Sequence, residues 1–391
     1  MKKNTLFFAI SALLSANTFA GGIILHEVAT FDNVSSAGVG NTTNRKDASA
    51  AITNPAGLTS IEDSSWSFGL QVVDAKTIHR GQANLIGELN TKGTATALAP
   101  SLAYAKRVHD DLVLGVSLHA DGGLGMEYQN GPSGYGFIDS QSQEFVNINL
   151  AAGYALNDQW SIGGAFVIQH MMTTIDIDRS LIGGAELKAE GEDGNTEVSF
   201  MLSTMYDINE RTFISANYKH RVDHSNTFLD LDASIGNSSA RLREDISVYW
   251  PSQLSFGIQH KIDDAMTLKG MLGAEFWSDF SESYKMEDVY TIGTALAYQA
   301  NAWTYQAGVR FDSKMMKAEN MQPELAVGQN WSLGLGAEMT RSNGHRIGLA
   351  YQYRDMGTAD VAYDNGVPVL PNFSGSIKEN RLHILSLSYA Y

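Results

Sequence analysis

Cysteine is absent from the 391 residues. That single absence excludes disulfides, thiolate metal sites and cysteine nucleophiles. Proline is scarce, 7 in all, and basic residues are outnumbered, 27 Lys and Arg against 43 Asp and Glu, for a formal net charge of −16. This acidic balance argues against nucleic acid as the main partner, because binding phosphates takes clustered Lys and Arg. Long apolar runs are missing too. After Gly21 no stretch reaches the about 20 consecutive apolar residues of a spanning helix. Yet 43% of the residues are hydrophobic, enough for an ordered protein.

The first twenty residues differ from the rest. Lys2 and Lys3 make a positive start, Leu6 to Leu14 is apolar, and Thr18-Phe19-Ala20 closes with small residues before Gly21. This pattern predicts a cleavable signal peptide over 1–20, and so an exported protein. Its removal leaves 25 basic residues against 43 acidic ones, a balance of −18.

What the mature chain has instead of long runs is alternation. Trp303, Tyr305, Ala307, Val309 and Phe311 share one face, and Thr304, Gln306, Gly308, Arg310 and Asp312 the other. Period two means a strand between two different surroundings. The pattern recurs at Val146 to Leu156, Trp331 to Met339, Ile347 to Tyr353 and Leu385 to Tyr391. Fourteen such strands are predicted, near 64–78, 93–107, 112–128, 143–156, 160–180, 195–208, 211–231, 245–262, 265–282, 288–299, 302–313, 329–341, 346–358 and 380–391. Short polar turns such as Asn157-Asp158 and Asp263-Asp264 alternate with longer loops, near 79–92, 129–142, 181–194, 232–244, 314–328 and 359–379. An even strand number with short turns at one end and long loops at the other marks a transmembrane β-barrel rather than a soluble sandwich. The fold class expected is therefore all-β, a 14-stranded antiparallel barrel over 63–391, ending on the aromatic Tyr391 that bacterial barrel assembly machinery commonly reads. Residues 21–62 carry no strand pattern. They are long enough to sit in the lumen as a plug, or to hang as a periplasmic tail.

Several segments in order carry a resemblance. They are Leu25-His26-Glu27, Ser36-Ala37-Gly38-Val39-Gly40 and Ile52-Thr53-Asn54-Pro55-Ala56-Gly57-Leu58 ahead of the barrel. Within it they are Gly123-Leu124-Gly125-Met126-Glu127-Tyr128, Asn147 to Tyr154, Trp160 to Gly163, Asn217-Tyr218-Lys219, Trp250-Pro251-Ser252 and Trp277-Ser278-Asp279-Phe280. With these the chain resembles the FadL/TodX-type outer-membrane transporters of hydrophobic compounds, whose best-known member carries long-chain fatty acids. The resemblance implies an outer-membrane location and a hatch made by 21–62. It also implies passive uptake of a long-chain fatty acid or another hydrophobic small molecule, with release into outer-membrane lipid. The sequence departs from the pattern by extra residues around Val28 to Val34 and by shorter extracellular loops.

Three sets of residues stand out. His119, Asp121, Gly122, Gly123, Leu124 and Gly125 break the third strand, since glycines inside a strand mark a bulge, kink or close backbone approach. The resemblance implies a lateral gap there; plain barrel curvature is the alternative. Asn54, Pro55 and Ala56 form a rigid turn, because Pro fixes φ and Asn caps or turns the chain. The turn either ties the hatch to the wall or simply leads into the first strand. A ligand carboxylate needs a cationic donor. The resemblance points to Lys285 for that role, and strand parity adds Arg310 and Lys219 beside Lys269, Arg346 and Arg354. Arg310 is also placed to pair with Asp312. His220 and His224, four apart on a strand, are about 13 Å apart and too distant for one metal ion. No cofactor or metal is expected, and catalysis has little to rest on: no spacing pairs a Ser or Thr nucleophile with a His. The expected function is thus a monomeric, non-enzymatic carrier. Uptake of neutral aromatic hydrocarbons on the same fold is the alternative, and an outer-membrane lipid hydrolase a remoter one.

Overall fold

The computed structural model describes residues 28–83, 87–129, 140–180, 186–235, 237–280, 285–317, 320–321, 327–363 and 373–391. The expected signal peptide 1–20 and the segment Leu25-His26-Glu27 lie outside these described residues.

Strands β1 (Ser64–Ala83), β2 (Gly87–His109), β3 (Leu112–Gln129), β4 (Ser140–Ala155), β5 (Trp160–Ser180) and β6 (Glu186–Asn209) are long and unbroken. The next stretch is divided into β7 (Thr212–Lys219), β8 (Val222–His224), β9 (Phe228–Ile235), β10 (Ser238–Asp245), β11 (Val248–Trp250) and β12 (Gln253–Lys261). Then come β13 (Met266–Glu275), β14 (Val289–Ala300), β15 (Trp303–Asp312), β16 (Asn330–Thr340), β17 (Arg346–Asp355), β18 (Ala359–Tyr363) and β19 (Phe373–Ala390). β7 with β9, β10 with β12, and β17 with β18 each follow one course in the wall, and β8 and β11 stand apart from it. The result is a closed antiparallel barrel of 14 strands. Closure comes from β1, which pairs with β2 on one edge and with β19 on the other.

Alternation sets the two faces. Trp66, Phe68 and Leu70 point outward and are exposed, while Ser65, Ser67 and Gln71 between them are buried. The same holds for Trp331, Leu333 and Leu335 against Asn330 and Ser332. An apolar outer face and a polar inner face suit lipid outside and a lumen within.

The regions expected as long loops near 79–92 and 181–194 are instead mostly strand. β1 and β2 continue as a paired hairpin to Ala83 and Gly87, and β5 and β6 to Ser180 and Glu186. Twenty residues at about 3.3 Å each reach about 66 Å, well past the 9–11 residues that cross a bilayer. Beyond the lipid a ladder needs no apolar side chains, so His79, Arg80 and Glu88 read as loop while their backbones stay paired.

Residues 28–62 fill the lumen at the end of the short turns. They form a helix at Phe31–Ser35, capped by the Thr30 side chain, a helix at Ala50–Thr53 and a 3-10 helix at Pro55–Ser60. The inner wall is cut to receive them. A Cβ on Gly69 would lie 1.5 Å from the Ala29 carbonyl oxygen, on Gly163 2.2 Å from the Ala56 nitrogen, and on Gly308 and Gly334 2.4 Å from the Ser36 and Val34 carbonyl oxygens. The inner polar side chains then donate to the backbone of this segment: Asn149 Nδ2 to Ala51 O (3.1 Å), Ser215 Oγ to Thr42 O (2.7 Å), Asn217 Nδ2 to Thr53 O (2.6 Å) and Gln306 Nε2 to Asp32 O (2.9 Å). Short helices leave most of their carbonyls unpaired, and the wall supplies the missing donors.

Candidate functional site

The glycine-broken strand is where the wall departs from regularity. β2 and β3 pair from His109↔Leu112 to Ser101↔His119, and again from Thr94↔Glu127 to Lys92↔Gln129. Between these, residues 95–100 and 120–126 make no ladder pairs with one another. The break runs about 20 Å along the strand. Pro100, with no N–H to donate, sits at its edge. On its other edge β3 stays paired to β4 with one bulge, Ala120↔Val146 being followed by Gly122↔Phe145. Asp121 is the extra residue. Gly123 follows with φ +119°, where a Cβ would meet the Gln143 carbonyl oxygen at 2.2 Å, so only glycine fits.

The bulge aims the Asp121 side chain into the lumen, where it is buried. Lys219 Nζ, at the end of β7, donates to both its oxygens at 2.6 and 2.5 Å. Trp250 Nε1 and Gln169 Nε2 donate at 2.7 and 2.9 Å, and His119 Nε2 stands 3.9 Å away. Gln169 links onward to Asn147 and His224. One carboxylate thus joins β3 to β5, β7 and β11.

A second irregularity faces the first. Past Lys219, β8 leaves the wall and pairs only with β11 as a separate two-stranded sheet, from Val248↔His224 to Trp250↔Val222. Pro251 ends β11, as a residue that cannot donate to a ladder must. Val222, His224 and Val248 of this small tongue are buried, and it carries Trp250 into an apolar cluster with Phe145, Met171, Trp277, Phe280 and Met316. Phe145 stacks on Trp250 at 3.9 Å, and Trp250 meets Trp277 edge-on at 5.7 Å. The cluster lies on the long-loop side of Asp121. Below it, a cavity of about 90 Å³ touches His119, Asp121, Lys219, Met201, Met271 and Ile52, where the N-terminal segment meets the wall.

The other expected site residues lie as follows. Asn54 donates from Nδ2 to Thr42 O at 2.5 Å, and Pro55 starts the 3-10 helix. Ala56 N donates to Ser203 Oγ at 2.8 Å, with Gly153 and Gly163 giving room for the turn. Gly122 and Gly125 lie along the broken edge with Leu124, whose side chain, like that of Met126, is outside the described residues. Lys219 and Arg310 both face the lumen but in separate networks. Arg310 Nε is 2.8 Å from Asp312, and its guanidinium is 3.6 Å from Glu275. Lys285 is exposed and apart from both. Lys269 pairs with Asp32, Arg346 with Asp47 at 2.6 Å, and Arg354 with Asp312 at 3.4 Å. Sequence reasoning missed Gln169 and Trp250 as partners of Asp121, and Asn147 behind Gln169. Their inward parity was legible, but their convergence depends on the bulge.

A model of the outer membrane protein transport protein family (OMPP1/FadL/TodX) matches residues 11–391. The chain belongs to this family. It is 22% identical over 381 residues to the long-chain fatty acid transport protein of Escherichia coli strain K12, covering 81% of this chain and 84% of that one. Its fold matches the crystal structure of a Pseudomonas aeruginosa FadL homologue with a TM-score of 0.82, at 16% identity, over 95% of this chain and 99% of the other. The Pseudomonas putida toluene transporter TodX matches with a TM-score of 0.69, at 15% identity, over 93% and 98%. Family membership and the lipid-facing wall together make this an outer-membrane barrel of a transport family.

Proposed function

We propose that the protein takes up hydrophobic compounds, long-chain fatty acids first among them, and releases them sideways into the outer leaflet. The observation that carries this reading is the β2–β3 break beside the apolar cluster within the lumen. A water-filled pore gives an alkyl chain nothing, whereas an apolar site gains about 0.8 kcal/mol for each CH₂ buried. The cluster around Trp250 and Phe280 offers such surface, and Met171, Met286, Met315 and Met316 make it adaptable. Residues 28–62 act as the hatch, held by the Asn54-Pro55-Ala56 turn. Lys219 is the carboxylate partner of choice, since it lines the cavity next to the break. The barrel acts as a monomer and carries no catalytic step, and Tyr391 serves its assembly.

Deleting Asp121 and replacing Gly122 and Gly123 by Val removes the bulge and lets β3 pair along its length. In a strain lacking the native gene, this variant should accumulate labelled oleate at about a tenth of the wild-type rate or less, at equal outer-membrane level. Unchanged uptake would refute lateral release. A second reading, transport of neutral aromatic hydrocarbons, gains from the pairing of Lys219, Lys269, Arg310, Arg346 and Arg354 with protein carboxylates. Uptake of toluene without uptake of oleate would decide for it.

A further inference from the structure

Two courses of the wall stop at the same height, and each sends a tryptophan inward. Lys219, Gln253, Glu275 and Val289 lie side by side across β7, β12, β13 and β14. On the long-loop side of this row the chain leaves the ladder twice. Ahead of β12, Pro251 has no N–H to pair, and the β8–β11 tongue brings Trp250 into the apolar cluster. After β13, a 3-10 helix at Trp277–Asp279 does the same for Trp277. Both indoles are fully buried, and they meet edge-on at 5.7 Å. Their N–H groups reach back toward the row. Trp250 Nε1 donates to Asp121 at 2.7 Å, and Trp277 Nε1 to Glu275 at 2.8 Å. Asp121 and Glu275 both line the cavity of about 90 Å³. The apolar cluster lies on one side of the two rings and this cavity on the other, and among the described residues none belongs to both. The rings form a partition across the lumen.

The two halves of the partition are held differently. Trp277 follows directly on β13, where Phe276 N donates to Ser252 O at 3.0 Å. Trp250 rides on a tongue whose three-residue strands pair only with each other. When Trp250 moves aside, Asp121 keeps Lys219 and Gln169 as donors, so its buried charge is not left without a partner. The Phe145 ring, stacked on Trp250 at 3.9 Å, then offers an apolar face that an alkyl chain covers in its place. Protein interiors are close-packed, so an indole here excludes any guest wider than the room its movement makes. We infer that Trp250 is a specificity-determining residue: its indole sorts by width the hydrophobic ligands that pass from the apolar cluster to the cavity beside the β2–β3 break, admitting slender alkyl chains and holding back fused rings. The inference rests on the reading of the lumen as a path for hydrophobic compounds.

The chain has no cysteine, so a thiol can be placed on the cavity side alone. Met271 lines the cavity, and Met271→Cys puts it there. In whole cells its rate of modification by N-ethylmaleimide, which is slender, is compared with that by N-(1-pyrenyl)maleimide, which carries fused rings. Adding Trp250→Ala should raise the pyrenyl-to-ethyl ratio about tenfold, the lower end of shape discrimination by an apolar site, and adding Trp250→Phe, which keeps a ring, should leave it within about twofold. Adding Trp303→Ala, on the exposed outer face, should not move it. An unchanged ratio in a folded Trp250→Ala barrel would overturn the filter. So would an equal rise for both reagents, which would mark looser packing. A rise with Trp250→Phe as large as with Trp250→Ala would overturn it too, by assigning the effect to the lost indole hydrogen bond. Folding is checked by heat-modifiable gel mobility. Should the alanine variant not fold, Trp250→Leu, apolar but without a ring, must still raise the ratio. Uptake of labelled oleate and of a pyrene-terminated fatty acid is measured alongside. A ratio that moves while wild type takes up neither acid leaves the filter standing and sinks the carrier reading; a fixed ratio with normal oleate uptake does the reverse.

Discussion

Asp32 shows how a single residue secures the segment in the lumen. It belongs to the Phe31–Ser35 helix and meets Lys269 of the wall and Lys46 of its own segment, the latter at 3.3 Å. Burial by itself would raise its carboxyl, but Lys269 and Lys46 outweigh that and hold it well below the usual carboxylate range. A carboxyl depressed on folding contributes stability that is full above its unfolded value, about 3.9, and is lost as pH falls toward the folded value. Small-ion conductance in planar bilayers should thus stay low from neutral pH to about 4 and rise below it. Asp32→Asn should conduct more at neutral pH and respond less to acid, because it leaves Lys269 buried without its partner, at a cost of about 3–5 kcal/mol. Lys219 makes the complementary case. If it receives the ligand carboxylate, Lys219→Met should reduce labelled oleate uptake by about tenfold, the loss of one charge-assisted contact, and leave toluene uptake intact. Equal loss of both would show that the residue only holds Asp121.

At the level of elements, the inner faces of the strands explain what the alternating sequence did and did not disclose. Trp303, Tyr305 and Phe311 against Thr304, Gln306 and Arg310 were enough to set a strand and its two faces, and fourteen such patterns set the barrel. The polar face was legible only as polar. Gly308, Gly334 and Gly163 read as neutral spacers, yet each is a notch for the backbone of residues 28–62, a relation between parts far apart in the chain. The ends of β1 and β2 were illegible for another reason, since paired strands outside lipid lose the apolar half of their pattern. The inward turn of β8 and β11 left one mark, Pro251, which announces a break but not its direction. Filling a notch tests this account. Gly308→Leu should keep a heat-modifiable folded barrel and raise its conductance several-fold, as the Ser36 carbonyl is pushed off the wall. Ser342→Leu, exposed in the turn between β16 and β17, should not raise conductance.

Taken whole, the molecule is a wall whose two free edges meet. β1 and β19 pair from Ser67↔Ala390 to Ala83↔Phe373, with one register shift at Ile78 and His79. At the end of that seam Trp66 and Tyr391 exchange both backbone hydrogen bonds, at 2.8 and 2.9 Å, and Ser65 Oγ donates to the Tyr391 carbonyl at 2.8 Å across 326 positions of sequence. Deleting Tyr391 should lower the yield of folded barrel in the membrane without altering the oleate uptake of each barrel that forms, as judged by uptake per folded molecule. The seam also fixes a history. A contact between chain ends is costly to form early, because the whole intervening loop must be ordered first. The notches at Gly69 and Gly348 place Ala29 and Phe31 against the strands nearest that seam. Residues 28–62, which precede the barrel in the chain, are therefore expected indoors before the last strand arrives. Assembly resembles casting around a core: the mould closes only once its insert is seated.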